Sequence, residues 1–138
     1  RRHTRLQGDW SSDVCSSDLV ALANMVAKVL AAAERLAQEG IDVEVIDPRT
    51  IAPLDTATIC ESVRRTGHLL IVDEDYAPFG VGAEIAAAVG AEAFDHLDAP
   101  IRRLNAAFTH VPYSPPLEAA VAISAEQIDD AVRLTLRG

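Results

Sequence analysis

Carboxylates, histidines and closely spaced glycines are the residues of this sequence whose types and spacing bear on chemistry. Asp47 closes one β-branched run, and Asp73, Glu74 and Asp75 close another in the stretch DEDY, residues 73–76. Open parallel sheets bind ligands beyond the carboxyl ends of their strands, so a site is expected at these acids. Three acids at a strand end offer the oxygen donors that Mg²⁺ takes. Adjacent side chains point apart, however, and no lysine or threonine partner is evident, which favours a solvated acidic loop. Gly80-Val81-Gly82 stands after a strand and ahead of a helix and invites a dinucleotide reading. The third glycine of G-x-G-x-x-G falls on Ile85, and the acid required at the end of the next strand is replaced by Asn105. The two glycines are better read as letting a helix start close against the sheet or another subunit.

The other reactive side chains do not converge. His3, His68, His96 and His110 form no pair at metal-ligand spacing, and each reads as structural or solvated. Cys15 and Cys60 make no CxxC motif, which fits a reducing, cytoplasmic setting. Cys60 follows the inward-facing Ile59 and reads as a semi-buried, inert thiol. No serine stands in a G-x-S-x-G elbow. No catalytic, cofactor-binding or metal-ligating residue is therefore assigned. The loop from Ala106 to Glu118 is a different matter, because it carries Phe108, Val111, Pro112, Tyr113, Pro115, Pro116 and Leu117. Apolar side chains on a stiff, donor-poor loop are costly to expose, so the loop either folds back over its own core or docks on a partner. Phe79, Val81, Val111, Pro112 and Tyr113 are the candidate interface residues.

The elements that position these loops follow from periodicity. Met25, Val26, Val29, Leu30, Ala33, Leu36 and Ala37 recur at three and four residues and mark a helix ending at Gly40. IDVEVID (41–47) reads as a strand, stopped by Pro48 and Pro53. A second helix runs from about Thr56 to Thr66, capped by Asp55 or Thr56 and ended by Gly67. HLLIVD (68–73) is apolar throughout, as a strand covered on both faces must be. A third helix starts near Gly80, and IRRLN (101–105) is a short strand. Ser124 with Gln127 forms a capping box, Ile123 and Ile128 a hydrophobic staple, and Ile128, Val132 and Leu136 one helix face. Strands alternating with helices at these lengths give an α/β fold, three layers deep, with a mostly parallel sheet.

The whole chain, with 138 residues and 49% hydrophobic content, matches one domain with a real core. No apolar run approaches the roughly 18 residues that cross a bilayer, and no membrane partner is expected. Twelve basic residues against 21 acidic ones give a net charge of −9, which disfavours nucleic acid. The start of the chain is anomalous. SSDVCSSDLV, residues 11–20, nearly repeats itself at a spacing of five, and residues 1–10 show no apolar period. Residues 1–18 are expected to be a non-native or disordered leader, with the domain proper spanning 19–138 and its first strand truncated.

The ordered pieces DPRTIAPLD (47–55), FGVGAE (79–84), LDAPIRR (97–103) and PYSP followed by LE (112–118) resemble one family. The chain is similar to the transketolase-type C-terminal domain of the beta subunit of thiamine-diphosphate-dependent 2-oxo acid dehydrogenases, which act on pyruvate, branched-chain 2-oxo acids or acetoin. The resemblance implies a mixed sheet of about five strands with one antiparallel. It also implies a parent enzyme that decarboxylates a 2-oxo acid and passes the acyl group to lipoyl, with thiamine diphosphate and Mg²⁺ held by parts outside this chain. The implied partners are an alpha subunit, a second beta subunit and the lipoyl acyltransferase core. No residue here matches a catalytic position of that family, so the implied role is assembly. The alternatives are an acetoin dehydrogenase beta-subunit fragment and a free-standing α/β module that binds a small ligand.

Overall fold

A computed structural model of the chain describes residues 2–5 and 16–138. Strand β1 (Arg2–Arg5) comes first, followed by β2 (Ser17–Ala21), helix α1 (Met25–Gln38), β3 (Val43–Asp47) and α2 (Thr56–Thr66). The second half holds β4 (Leu69–Tyr76), α3 (Val81–Ala93), β5 (Arg102–Ala106), α4 (Pro115–Val121) and α5 (Ala125–Thr135). The strands form one sheet in the order β1-β3-β2-β4-β5, with every pairing parallel except that of β1 with β3.

The alternation of side chains along the strands builds the two core layers. Leu19, Ala21, Val43, Val45, Leu70 and Val72 face α1 and α5. Val20, Ile46, Leu69 and Ile71 face α2 and α3. Leu69 through Val72 are wholly buried, which is why HLLIVD shows no polar alternation. Each large aliphatic side chain buried in this way contributes about 1.5–3 kcal/mol. The chain leaves β2 toward β3 on one side and β4 toward β5 on the other, and right-handed crossovers then place α1 and α2 on opposite faces. The reversal falls between β2 and β4.

The helix boundaries follow the local signals. Asp55 accepts a hydrogen bond from the Thr58 N–H at 3.3 Å, and Gly67 ends α2 at φ 70°. Ser124 and Gln127 close a reciprocal capping box at the start of α5. The stretch expected as loop between Ala106 and Glu118 ends instead in α4, because Pro115 and Pro116 occupy the first helical positions, where a missing N–H costs nothing.

Within residues 1–18, expected as a non-native or disordered leader, Arg2–Arg5 and Ser17–Asp18 take places in the sheet. Arg2–Arg5 pairs with the otherwise open edge of β3, and Ser17 and Asp18 stand opposite Val43 and Glu44 in the ladder of β2. An unpaired sheet edge is a row of unsatisfied donors and acceptors, and an extended segment answers it. The remaining residues of that stretch, Cys15 included, lie outside the described residues.

Candidate subunit interface at the carboxyl edge

The acids at the strand ends are each committed to a different partner. Asp73 is 4% exposed, and its Oδ1 accepts from the Asp75 N–H at 3.1 Å while its Oδ2 accepts from the Gly82 N–H at 3.3 Å. Glu74 accepts from the Asn24 amide, and Asp75 from the Tyr76 N–H at 2.7 Å. Asp47 accepts from Arg49 Nε at 2.7 Å. Among the described residues no three His, Cys, Asp or Glu side chains gather at metal-binding distance. These carboxylates do not fit a Mg²⁺–diphosphate group, because their oxygens serve the backbone and neighbouring side chains of the fold.

The glycines of Gly80-Val81-Gly82 serve the junction between β4 and α3. A Cβ on Gly80 would stand 2.5 Å from the Tyr76 carbonyl oxygen, and one on Gly82 would stand 3.2 Å from Ile71 Cγ2. The Gly82 N–H in the first turn of α3 meets the Asp73 carboxylate, the sign of charge a helix N-terminus favours. That carboxylate already answers the helix N-terminus, and the glycines bring helix and sheet together.

The histidines remain dispersed. His68 Nδ1 lies 2.9 Å from the Thr66 carbonyl, and His96 and His110 are exposed. The side chain of His3 lies outside the described residues. Cys60 is fully buried, deeper than the semi-buried position expected from the sequence, because its turn of α2 packs against α3. Burial pushes its thiol pKa up, and the nearby Glu92 carboxylate adds to the shift.

Apolar side chains do gather at the carboxyl edge. Arg103 donates to the Ala77 carbonyl at 2.7 Å and Asn105 to that of Asp75 at 3.0 Å, which ties the loop after β4 to β5. The Tyr76 hydroxyl donates to the Thr109 carbonyl, and its ring meets Phe108 edge-on with centroids 5.1 Å apart. A cavity of about 330 Å³ opens between Tyr76, Phe108, Thr109 and His110. From this scaffold the side chains of Phe79 (103% exposed) and Tyr113 (105%) stand wholly in solvent, and Val111 is also exposed. Of the five candidate residues, Pro112 is half-buried, and Val81 is half-buried against the α2–α3 core layer. The loop therefore projects from the edge and leaves the core to the helices.

Phe108 and Leu117 are exposed as well and extend the candidate surface beyond those five. Helix α4 buries none of its seven residues. A helix of that length is marginal without packing. Phe79 is further set at φ 61°, a left-handed conformation costly for a bulky residue.

The model of the family described as "Transketolase, C-terminal domain" matches residues 10–128. The chain belongs to this family. Within the family, this transketolase C-terminal domain is 46% identical over 119 residues to the pyruvate dehydrogenase E1 component subunit beta-1, mitochondrial, of Arabidopsis thaliana, covering 86% of the chain and 32% of that protein. It is 42% identical over 120 residues to the acetoin:2,6-dichlorophenolindophenol oxidoreductase subunit beta of Cupriavidus necator, covering 87% of the chain and 36% of that protein. Among solved structures it superimposes on a split gene transketolase, described as an inactive beta4 tetramer, with a TM-score of 0.74 and 27% identity over 99% of the chain and 41% of the other. The domain thus spans about a third of the length of the curated relatives it matches.

Proposed function

We propose that this chain is the C-terminal assembly domain of the beta subunit of a thiamine-diphosphate-dependent 2-oxo acid dehydrogenase, and that it contributes surfaces to the parent enzyme without supplying catalytic groups. The parent carries out oxidative decarboxylation of pyruvate or a branched-chain 2-oxo acid and transfers the acyl group to lipoyl. The observation that carries this reading is the contrast at the carboxyl edge. The polar groups there are spent on the fold, whereas Phe79, Phe108, Val111, Tyr113 and Leu117 are displayed to solvent. Rigid aromatic side chains on a tied loop are what an interface uses as anchors. The partners proposed for this edge are the alpha subunit and a second beta subunit.

A separate groove of about 620 Å³ lies between Gly90 and Phe94 on one side and Leu97, Pro100 and Ile101 on the other, with Asp95 and Asp98 in its lining. Its acidic, apolar character suits a basic apolar segment, which supports docking of the lipoyl acyltransferase core there. The cytoplasmic setting rests on the free thiol of Cys60 and stays a proposal, since the Arabidopsis relative is named as mitochondrial. In the described residues no helix is long and apolar enough to cross a membrane.

The acetoin reading is supported by identity of 42% and 44% to acetoin oxidoreductase beta subunits, and it shares the same architecture and role. A free-standing ligand module would use the cavity of about 440 Å³ beside Asp47, Arg49 and Asp55. Asp47 and Arg49 are already paired, and Asp55 caps α2, which weakens that reading. Two measurements test the assembly proposal. Calorimetry of the purified chain with thiamine diphosphate and Mg²⁺ is expected to show no binding, and measurable binding overturns the proposal. In the full beta subunit with its alpha partner, Tyr113→Asp is expected to weaken association about 30-fold or more, the scale of an interface anchor. The melting of the chain alone should stay within about 0.5 kcal/mol. Unchanged association overturns the assignment of Tyr113, and an unfolded variant would place Tyr113 in the core.

A further inference from the structure

Asp18 is a carboxylic acid with no exposed surface, set in the central strand of the sheet. It shares the face of Val20, beneath α2. Its Oδ1 stands 2.8 Å from Ser62 Oγ, and its Oδ2 stands 2.8 Å from Thr66 Oγ1. Glu44 is its direct neighbour across the ladder on β3. On the β4 side the His68 carbonyl accepts the Asp18 N–H at 3.0 Å, and His68 Nδ1 is held by the Thr66 carbonyl. From α2 comes Arg65, which sits 2.8 Å from Glu44 and 3.2 Å from Ser62 Oγ. The nearby guanidinium therefore pairs with the neighbouring acid, and among the described residues the Asp18 carboxyl oxygens hydrogen-bond to the Ser62 and Thr66 hydroxyls.

The donors and acceptors can be counted. Ser62 Oγ accepts from Arg65, so its own proton goes to Asp18 Oδ1. Thr66 Oγ1 lies within reach of Asp18 Oδ2 and of the His68 carbonyl, at 3.3 Å. When Asp18 is ionised, Thr66 donates to it. When Asp18 is protonated, the acid donates to Thr66 and the threonine proton turns to the His68 carbonyl. Both arrangements use the same heavy-atom positions, but only the protonated one leaves no charge in the apolar layer.

We propose that Asp18, Ser62 and Thr66 form a proton-operated latch between the central strand and α2, closed by a proton on Asp18 and loosened when that proton is lost. Burial pushes the Asp18 carboxyl up to about 7 from an ordinary 3.8; the Ser62 and Thr66 hydrogen bonds and Arg65 oppose the shift, and Glu44 adds to it. The sign follows from linkage. The folded chain holds this proton more tightly than the unfolded chain, so the latch's contribution is complete below about pH 4 and is lost as pH rises to about 7. A difference of about three pH units corresponds to a loss of up to about a thousandfold in the folded-to-unfolded ratio.

The test is urea unfolding of the 138-residue chain between pH 5 and 8, with Asp18→Asn measured in parallel so that the other titrating groups cancel. The amide introduced by Asp18→Asn keeps an acceptor for Ser62 and a donor for Thr66 and carries no charge. The folded-to-unfolded ratio of the parent chain should fall relative to Asp18→Asn by about tenfold per pH unit up to pH 7, and parallel profiles overturn the proposal. Carbon-13 NMR titration of the Asp18 carboxyl in the unaltered chain decides independently of the variant's folding. A midpoint near 7 upholds the latch, and a midpoint near 4 overturns it.

Discussion

Gly80 and Gly90 lie ten residues apart, one at the N-cap of α3 and the other inside it, and the same substitution should change stability in opposite directions. At Gly80 a new Cβ would stand 2.5 Å from the Tyr76 carbonyl oxygen. An ordinary contact of this kind needs about 0.9 Å more, and both atoms are backbone, held by the last pair of β4 and the first turn of α3. Overpacking against rigid surroundings costs about 1–3 kcal/mol. The φ of −72° at Gly80 suits alanine, so the entropy removed from the unfolded chain returns about 0.4–1 kcal/mol. Gly80→Ala should therefore destabilise by about 1–2 kcal/mol. At Gly90 nothing lies within 4 Å of the added carbon. Alanine in a helix interior gains about 0.5–1 kcal/mol over glycine, so Gly90→Ala should stabilise by that amount. Urea unfolding of the two variants should separate them by about 1.5–3 kcal/mol, and thermal unfolding by roughly 4–10 °C in Tm. A Gly80→Ala chain as stable as its parent would refute the close approach of helix and strand, and with it the explanation of the Gly80-Val81-Gly82 spacing.

Ser124→Ala removes the 3.2 Å bond to the Gln127 N–H and breaks the capping box of α5, which should cost about 1 kcal/mol in thermal or urea unfolding. No measurable loss would mean that water replaces the cap. Cys60, fully buried and with its thiol pushed up by burial, should resist alkylation in the folded chain at pH 8 and react once the chain is unfolded in urea. Peptide mapping by mass spectrometry reads the position directly, and labelling of Cys60 in the folded chain at the unfolded rate would contradict the packing of α2 on α3.

The parts of the fold written in local patterns were legible. The apolar run His68–Asp73, the stripe from Met25 to Ala37 and the capping box at Ser124 each depend on neighbours within one turn or one strand, and each became the expected element. The parts that depend on distant partners were not. Nothing around Arg2–Arg5 marks a strand, because what orders it is the open edge of β3, some forty residues away. Asp18 reads as a leader residue until Ser62 and Thr66 are brought over it by α2. At the candidate interface, the exposure of Phe79 in the loop after β4 and of Val111 and Tyr113 in the loop after β5 agrees with what residue type suggests. Val81 lies one residue after Gly80, and helical geometry turns it, half-buried, onto the α2–α3 layer, a placement that depends on distant residues.

In the proposed assembly role, the carboxyl edge adapts a sheet geometry suited to catalysis to contact. Where an α/β sheet holds a ligand, the helix N-terminus after the strand is left open for an anion and the terminal acids are left open for a cation. Here Asp73 is folded inward onto the Gly82 N–H, so the acid and the helix end cancel each other. With both polar devices closed, the edge retains the shape of its loops, which Arg103 on β5 enforces by holding the loop after β4 at Ala77, Asn105 by joining β5 to the end of β4, and Tyr76 on β4 by holding the loop after β5 at Thr109. A loop held from beneath keeps Phe79 and Tyr113 extended before any partner arrives, so less conformational entropy is lost when they are covered. The internal pairing of the acids and the outward set of the aromatic rings are thus two consequences of one arrangement, in which neutralising the strand ends makes the edge available for contact with another chain.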